Sequence, residues 1–310
     1  MDDFLIFSGT AVPDLASAIA QELGVRPGLC AVERFPDGEV SVKLEESVRR
    51  KAVYIIQSTS PPVNDHLVEL LAFADAFRRA SAQSITAIIP YFGYARSDKR
   101  HGRREAIAAS MVADLLQAVN IDHIITVDLH TPQIEGFFQI PVDNLSAAPT
   151  LCGSVRGRLP EDAVVVSPDA GRVKMATEFA NRLGLPLVVL HKRRDSGTDT
   201  TVTHLVGDVG ERACLIVDDI ISTGGTIFRS IEALLDAGAR EEIYVASTHG
   251  LLLGGAPEML NCKAVREVFI TDTIAAVEPR APNLKVISVA PLIAGAINQL
   301  MADGWLGDLY

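Results

Sequence analysis

Short apolar runs rich in Ile and Val alternate along the chain with stretches whose apolar residues recur at helical spacing. The runs predict strands at Phe4–Phe7, Val53–Gln57, Thr86–Ile89, His123–Val127, Ala163–Val166, Pro186–Leu190, Ala213–Val217, Ile243–Ala246 and Val268–Ile270. They are near-continuous rather than alternating, as in strands buried on both faces. Helical periodicity between them predicts helices at Asp14–Leu23, Asp65–Arg79, Glu105–Ala118, Arg172–Leu183 and Thr226–Ala237. This alternation builds mainly parallel sheets flanked by helices, an α/β fold. Residues 33–45 break the pattern. Arg34-Phe35-Pro36-Asp37-Gly38-Glu39 carries a turn signal and Val40–Leu44 alternates, which predicts a strand pair leaving the sheet as a flap.

The element order reads as two copies of one plan, residues 1–143 and 144–310, with Pro141–Leu159 as the crossover. The likeness between the halves is one of order, not of residues. A length of 310 residues agrees with two domains of about 150 each. Apolar residues make up 48% of the chain, enough for two cores, yet no run reaches the roughly 18 residues of a membrane span. The acidic start, MDDFLIFSGT, lacks the basic region of a signal peptide. With 28 cations against 39 carboxylates, the formal charge is −11, which argues against nucleic acid or an anionic membrane as partner. An anionic substrate must then be held by local basic clusters. The four cysteines, Cys30, Cys152, Cys214 and Cys262, have no metal-ligand spacing and read as reduced thiols of a cytoplasmic protein.

Four strand ends carry candidate chemistry. Val217-Asp-Asp-Ile-Ile-Ser-Thr-Gly-Gly-Thr226 joins a strand to a helix, and its hydroxyls and glycines suit a phosphate at the helix start. Asp218 and Asp219 would repel that phosphate, so they call for sugar hydroxyls or a metal ion nearby. No Lys follows the glycines, and their spacing is not that of a dinucleotide fingerprint. His191-Lys192-Arg193-Arg194 leads into the polar stretch 195–200, either a solvated basic turn or a mobile loop over phosphates. Asp128-Leu129-His130 and Ser167-Pro168-Asp169 offer metal or phosphate ligands, and carboxylate oxygens suit Mg²⁺. Tyr91–Arg104 combines aromatics with five cations among 96–104, a set that could stack on a base and meet phosphate.

Taken together, these segments resemble the ribose-phosphate pyrophosphokinase family. The resemblance runs through RFPDGE at 34–39, IIQSTSPPVNDHLVELL at 55–71, PYFGYARSDK at 90–99, DLHTPQIEGFF at 128–138, SPDAGR at 167–172, KRR at 192–194 and DDIISTGGT at 218–226. It implies two tandem type I phosphoribosyltransferase-type domains and a homo-oligomer, a hexamer, in which the flap completes a neighbouring subunit's ATP site. It implies Mg²⁺-dependent transfer of pyrophosphate from ATP to the anomeric hydroxyl of ribose 5-phosphate, the step that feeds nucleotide, histidine and tryptophan biosynthesis. By the family pattern, Lys192 and Arg194 lie on a catalytic loop at 191–201. Phe35, Asp37, Gly38, Glu39, Arg96 and Ser97 match ATP positions. Asp218 and Asp219 match the ribose hydroxyl positions, and Ser222, Thr223, Gly224, Gly225 and Thr226, with Arg194, match the ribose 5-phosphate site. His130 and Asp169 match magnesium positions.

Three departures stand out. Ser222 replaces a common Asp, Ser97 replaces a common Gln, and Ala170 and Arg172 flank the second Asp motif with Arg172 adding a cation. Two alternatives accompany this reading: a phosphoribosyltransferase, against which the duplicated domain and the flap argue, and a non-catalytic regulatory homologue, against which the intact site residues argue.

Overall fold

The computed structural model describes residues 4–100, 102–194, 200–275, 281–302, 304 and 307; the side chains of 192–194 and 200–203 also lie outside the description. The chain begins β1 (Phe4–Ser8), α1 (Pro13–Glu22), β2 (Cys30–Arg34), β3 (Val40–Leu44), β4 (Ala52–Ile56), α2 (Val63–Arg79) and β5 (Ser84–Ile89). It continues through α3 (Ala108–Ala118), β6 (His123–Val127), β7 (Val142–Leu145), α4 (Ala148–Val155), β8 (Val164–Ser167) and α5 (Val173–Leu183). Then follow β9 (Leu187–Arg194), β10 (Thr200–Val206), β11 (Cys214–Ile221), α6 (Gly225–Asp236) and β12 (Ile243–Gly250). The last elements are α7 (Ala256–Leu260), β13 (Val265–Thr271), β14 (Leu284–Ile287) and α8 (Ala290–Met301).

The chain forms two compact units. The first holds Met1–Ser146, Thr273–Ala275 and Ser288–Tyr310; the second holds Ala147–Asp272 and Ala276–Ile287. The contacts put the first boundary at 146/147 rather than at the expected 143/144, and the chain returns to the first unit at Thr273–Ala275 and again at its end, where α8 packs on α1. Pattern alone did not place α8, because an apolar helix fits either core equally well.

In the first unit β1, β4, β5, β6 and β7 form a five-stranded sheet in the order β1-β4-β5-β6-β7, every pair parallel. α2 lays Leu67, Leu70, Phe73, Ala74 and Phe77 onto one face. Phe77 meets Phe7 with ring centroids 4.8 Å apart and Phe73 at 5.8 Å. Each such aromatic contributes about 1.5–3 kcal/mol by leaving water. β2 and β3 form the expected flap as a separate antiparallel pair. Its inner residues Cys30, Val32, Val42 and Leu44 pack on the same core.

In the second unit seven strands run in the order β10-β9-β8-β11-β12-β13-β14, all pairs parallel except β10 on β9. Two expectations change here. Residues 191–194 continue β9 and residues 200–206 pair back on it, so both ends of the expected loop 191–201 are strand, and its middle, 195–199, lies outside the described residues. The β-branched run Thr200-Thr201-Val202-Thr203 accounts for the extra strand. β11 also runs to Ile221 instead of ending at Val217, because Asp218, Ile220 and Ile221 pair with Ser247, His249 and Gly250 of β12.

Candidate active site

The strand order of the second unit gathers the candidate residues. β9, β8 and β11 are neighbours, with Val188, Val166 and Ile216 in register. Asp169 follows β8, Lys192 and Arg194 lie at the end of β9, and Asp218 and Asp219 lie near the end of β11. All three clusters therefore stand at adjacent carboxyl ends, where α/β sheets place ligands. The side chains of Lys192 and Arg194 lie outside the described residues.

Asp218 and Asp219 are buried, 7% and 4% exposed. Arg172 reaches both: its Nε lies 3.5 Å from Asp218 Oδ1 and 3.2 Å from Asp219 Oδ1. The backbone N–H of Asp219 donates to Asp218 Oδ1 at 2.9 Å. Burial first, then the Asp219 carboxylate, hold the acid of Asp218 well above the ordinary carboxylate range; Asp169 adds to that push and Arg172 opposes it. Arg172 is thus the local counter-ion of a crowded acidic site, delivered by the short 3-10 turn Ala170–Arg172, which Asp169 caps by accepting from Gly171 N–H at 2.9 Å.

Directly after β11, Ser222 and Thr223 lead into α6. Leu253 N–H fixes the carbonyl of Ser222 at 2.8 Å, and Thr223 is exposed. Gly224 precedes the helix with φ +77°, and a Cβ there would lie 3.3 Å from that of Ala256. Left-handed backbone and a close neighbour both call for glycine. Gly225 and Thr226 open the helix with no side-chain cap, so its first N–H groups are left for an anion. α6 is anchored below by Ile227, Ile231 and Leu234.

In the first unit, Pro62, Val63, Asn64, Asp65, Tyr91, Tyr94, Arg96 and Ser97 line a cavity of about 560 Å³. Arg96 is exposed. Ser97 has a structural task that pattern did not show: its Oγ accepts from Ala108 N–H at 3.2 Å, capping α3 from eleven positions upstream. The hydroxyl of Tyr94 donates to Asn64 Oδ1. His130 stands beyond β6 on a segment held by Leu129 N–H to Asn144 Oδ1 at 2.9 Å and by Thr131 Oγ1 to Asp98 Oδ2 at 2.8 Å.

The flap tip, 33–39, is exposed throughout, with Phe35 at 48%. Gly38 turns the hairpin at φ +94° and donates to Phe35 O at 2.9 Å, while Asp37 Oδ1 accepts from Glu39 N–H at 3.1 Å. At its base Arg34 pairs with Glu69 at 3.2 Å and Asp65 at 3.4 Å. Glu69, fully buried on α2, also accepts from Thr10 N–H at 2.7 Å, Thr10 Oγ1 at 2.6 Å and Gln57 Nε2 at 2.9 Å. An isolated Glu inside an amphipathic helix gave no sequence signal for this role.

The model of the N-terminal domain of ribose phosphate pyrophosphokinase matches residues 4–119, and that of the phosphoribosyl synthetase-associated domain matches 199–310. A ribose-phosphate pyrophosphokinase of Caldanaerobacter subterraneus is 48% identical over 94% of this chain and 93% of its own length. That of Bacillus subtilis is 44% identical over 94% of this chain and 92% of its own. The chain belongs to the ribose-phosphate pyrophosphokinase family. A solved structure, phosphoribosylpyrophosphate synthetase from Mycobacterium smegmatis, superposes with a TM-score of 0.91 at 42% identity, covering 97% of this chain and 99% of that one. The fold is thus α/β with two phosphoribosyltransferase-type domains, as this family has.

No described helix is long and apolar enough to cross a membrane. All four cysteines are free, and burial pushes the Cys152 and Cys214 thiols up to about 12, which leaves them unreactive.

Proposed function

We propose that the protein transfers the pyrophosphoryl group of ATP to the C1 hydroxyl of ribose 5-phosphate, giving 5-phosphoribosyl 1-pyrophosphate and AMP. The observation that carries this reading is the buried Asp218–Asp219 pair directly ahead of the α6 phosphate cradle, in a chain of this family. Carboxylates of this kind accept hydrogen bonds from vicinal sugar hydroxyls, while Ser222, Thr223, Gly224, Gly225 and Thr226 take the 5-phosphate. The anomeric oxygen attacks the β-phosphorus in line and AMP leaves. Lys192 and Arg194 stabilise the charge that develops on the transferring group, and the rest of catalysis is positioning. Phe35, Asp37, Gly38, Glu39, Arg96 and Ser97 hold the nucleotide, beside the cavity that Arg96 and Ser97 line.

Among the described residues, no group of three or more His, Cys, Asp or Glu side chains is placed to hold a metal. Mg²⁺ takes few protein oxygens and keeps water and substrate phosphates, so it needs no such group. Asp169, whose charge already bears on Asp218, offers one oxygen donor in the second unit, and His130 stands at the matching strand end of the first. Bound there, Mg²⁺ would neutralise phosphate charge. The exposed Phe35 tip supports a homo-oligomer, a hexamer, in which the flap reaches a neighbouring subunit's ATP site. The free cysteines support a cytoplasmic setting.

The test is release of AMP from ATP and ribose 5-phosphate with Mg²⁺ and no nucleobase. AMP formed in step with the sugar pyrophosphate is expected; ATP left intact would overturn the reading.

A further inference from the structure

One cation beside the α6 cradle has no assigned task. Arg229 lies one helical turn beyond Gly225, on the same face. Side chains on a helix lean toward its N-terminus, and glycine leaves that groove empty. The guanidinium of Arg229 fills it: a Cβ placed on Gly225 would stand 3.5 Å from Nη1 and 3.7 Å from Nη2. Its Nε is buried with no hydrogen-bond partner, and among the described residues no carboxylate pairs with it. The acidic pair nearby in sequence is engaged by Arg172 instead.

This placement is unfavourable for the protein alone. The N-terminus of a helix already carries partial positive charge, so a cation there is repelled. A buried donor without an acceptor adds a desolvation cost. The first penalty reverses when a dianion sits at the helix start, because it accepts from the orphan N–H groups and from the Nη groups of the guanidinium together. We infer that Arg229 is a binding residue for the phosphate monoester of ribose 5-phosphate, supplying from within α6 a charge that the Ser222–Thr226 loop lacks. This rests on the cradle reading above. It also explains how Ser222 suffices where no cation stands on the loop itself.

The experiment measures ribose 5-phosphate, ribose and inorganic phosphate binding by titration calorimetry on the full chain. The wild type is compared with Arg229→Met, which keeps the apolar stem, Arg229→Lys and Thr223→Ala. Arg229→Met should weaken ribose 5-phosphate by about ten- to a hundredfold, with Arg229→Lys recovering part of it. The KM for ribose 5-phosphate should rise by more than kcat falls, and the melting temperature should hold or rise because a half-buried cation whose Nε lacks an acceptor is gone. Weaker inorganic phosphate binding without a change for the sugar phosphate assigns Arg229 to a free phosphate and overturns the inference. Wild-type affinity in both Arg229 variants overturns it as well, and a lower melting temperature with that affinity marks a structural role. If Thr223→Ala weakens binding while both Arg229 variants do not, the cradle stands without Arg229. If none of the three variants changes it, the cradle reading falls too.

Discussion

In the N-terminal unit, Gln57, Ser58 and Thr59 beyond β4 and Glu69 on α2 close on partners within the same unit. Ser58 Oγ donates to Thr273 O at 2.5 Å, Thr59 Oγ1 accepts from Gly93 N–H at 2.5 Å, and Glu69 gathers four donors from three other residues. At the strand ends of the C-terminal unit, Asp218 and Asp219 share one guanidinium, and burial, Asp219 and Asp169 push Asp218 toward its neutral form. Both sheets are built on parallel strands covered by helices. One spends its buried polar groups on rigidity; the other sets two buried carboxylates against a single counter-ion. Internal satisfaction makes a scaffold, and unbalanced charge makes a binding site.

Four substitutions separate the two behaviours. The largest effect falls on chemistry: Lys192→Ala should lower kcat by about 100- to 1,000-fold, with a smaller change in the KM of ribose 5-phosphate. Steady-state kinetics with an unaltered kcat would remove Lys192 from the transition state.

Next, Glu69→Ala should cost about 3 kcal/mol of stability, since four donors lose their acceptor in a buried site. Chemical denaturation reads this directly, and a loss under 1 kcal/mol would deny the first unit its scaffold role.

Third, Asp218→Asn should weaken ribose 5-phosphate binding by about tenfold or more while raising the melting temperature. The folded chain holds the Asp218 proton more tightly than the unfolded chain does. The wild-type residue therefore costs stability above its raised acid value, and the cost vanishes below the ordinary value near about 3.9. The thermal advantage of the Asn variant should accordingly shrink as pH falls toward about 4. A pH-independent difference would contradict the electrostatic account.

The smallest effect is Ser97→Ala, which removes the remote cap of α3 at a cost of about 1 kcal/mol. An unchanged stability curve would free that hydroxyl for the nucleotide alone.

All nine strands expected from apolar runs are present, and the flap lies where Phe35–Gly38 signalled a turn. β7 and β14 were not expected, because Asp143 and Asn144 in one and Lys285 in the other interrupt the short apolar run. α3 starts at Ala108 rather than 105, after Arg104 takes a left-handed φ of 65°. Of the candidate residues, those on the two Asp motifs and the Gly-rich loop were legible, because carboxylates, hydroxyls and glycines concentrated at a strand end have few structural uses. Arg172 was visible as an added cation but not as the clamp on Asp218 and Asp219. Glu69 and Arg229 were not visible at all, since each acts through residues that helix folding and packing bring to it.

The chain by itself determined the α/β class, the doubled plan and the chemistry available at each strand end, because these follow from local periodicity and residue type. Only the tertiary structure decided that β9, β8 and β11 are neighbours, that α8 returns to the first unit, and that Arg172 meets the acidic pair. Strand order and charge pairing depend on which distant surfaces bury each other, and no local pattern encodes that choice.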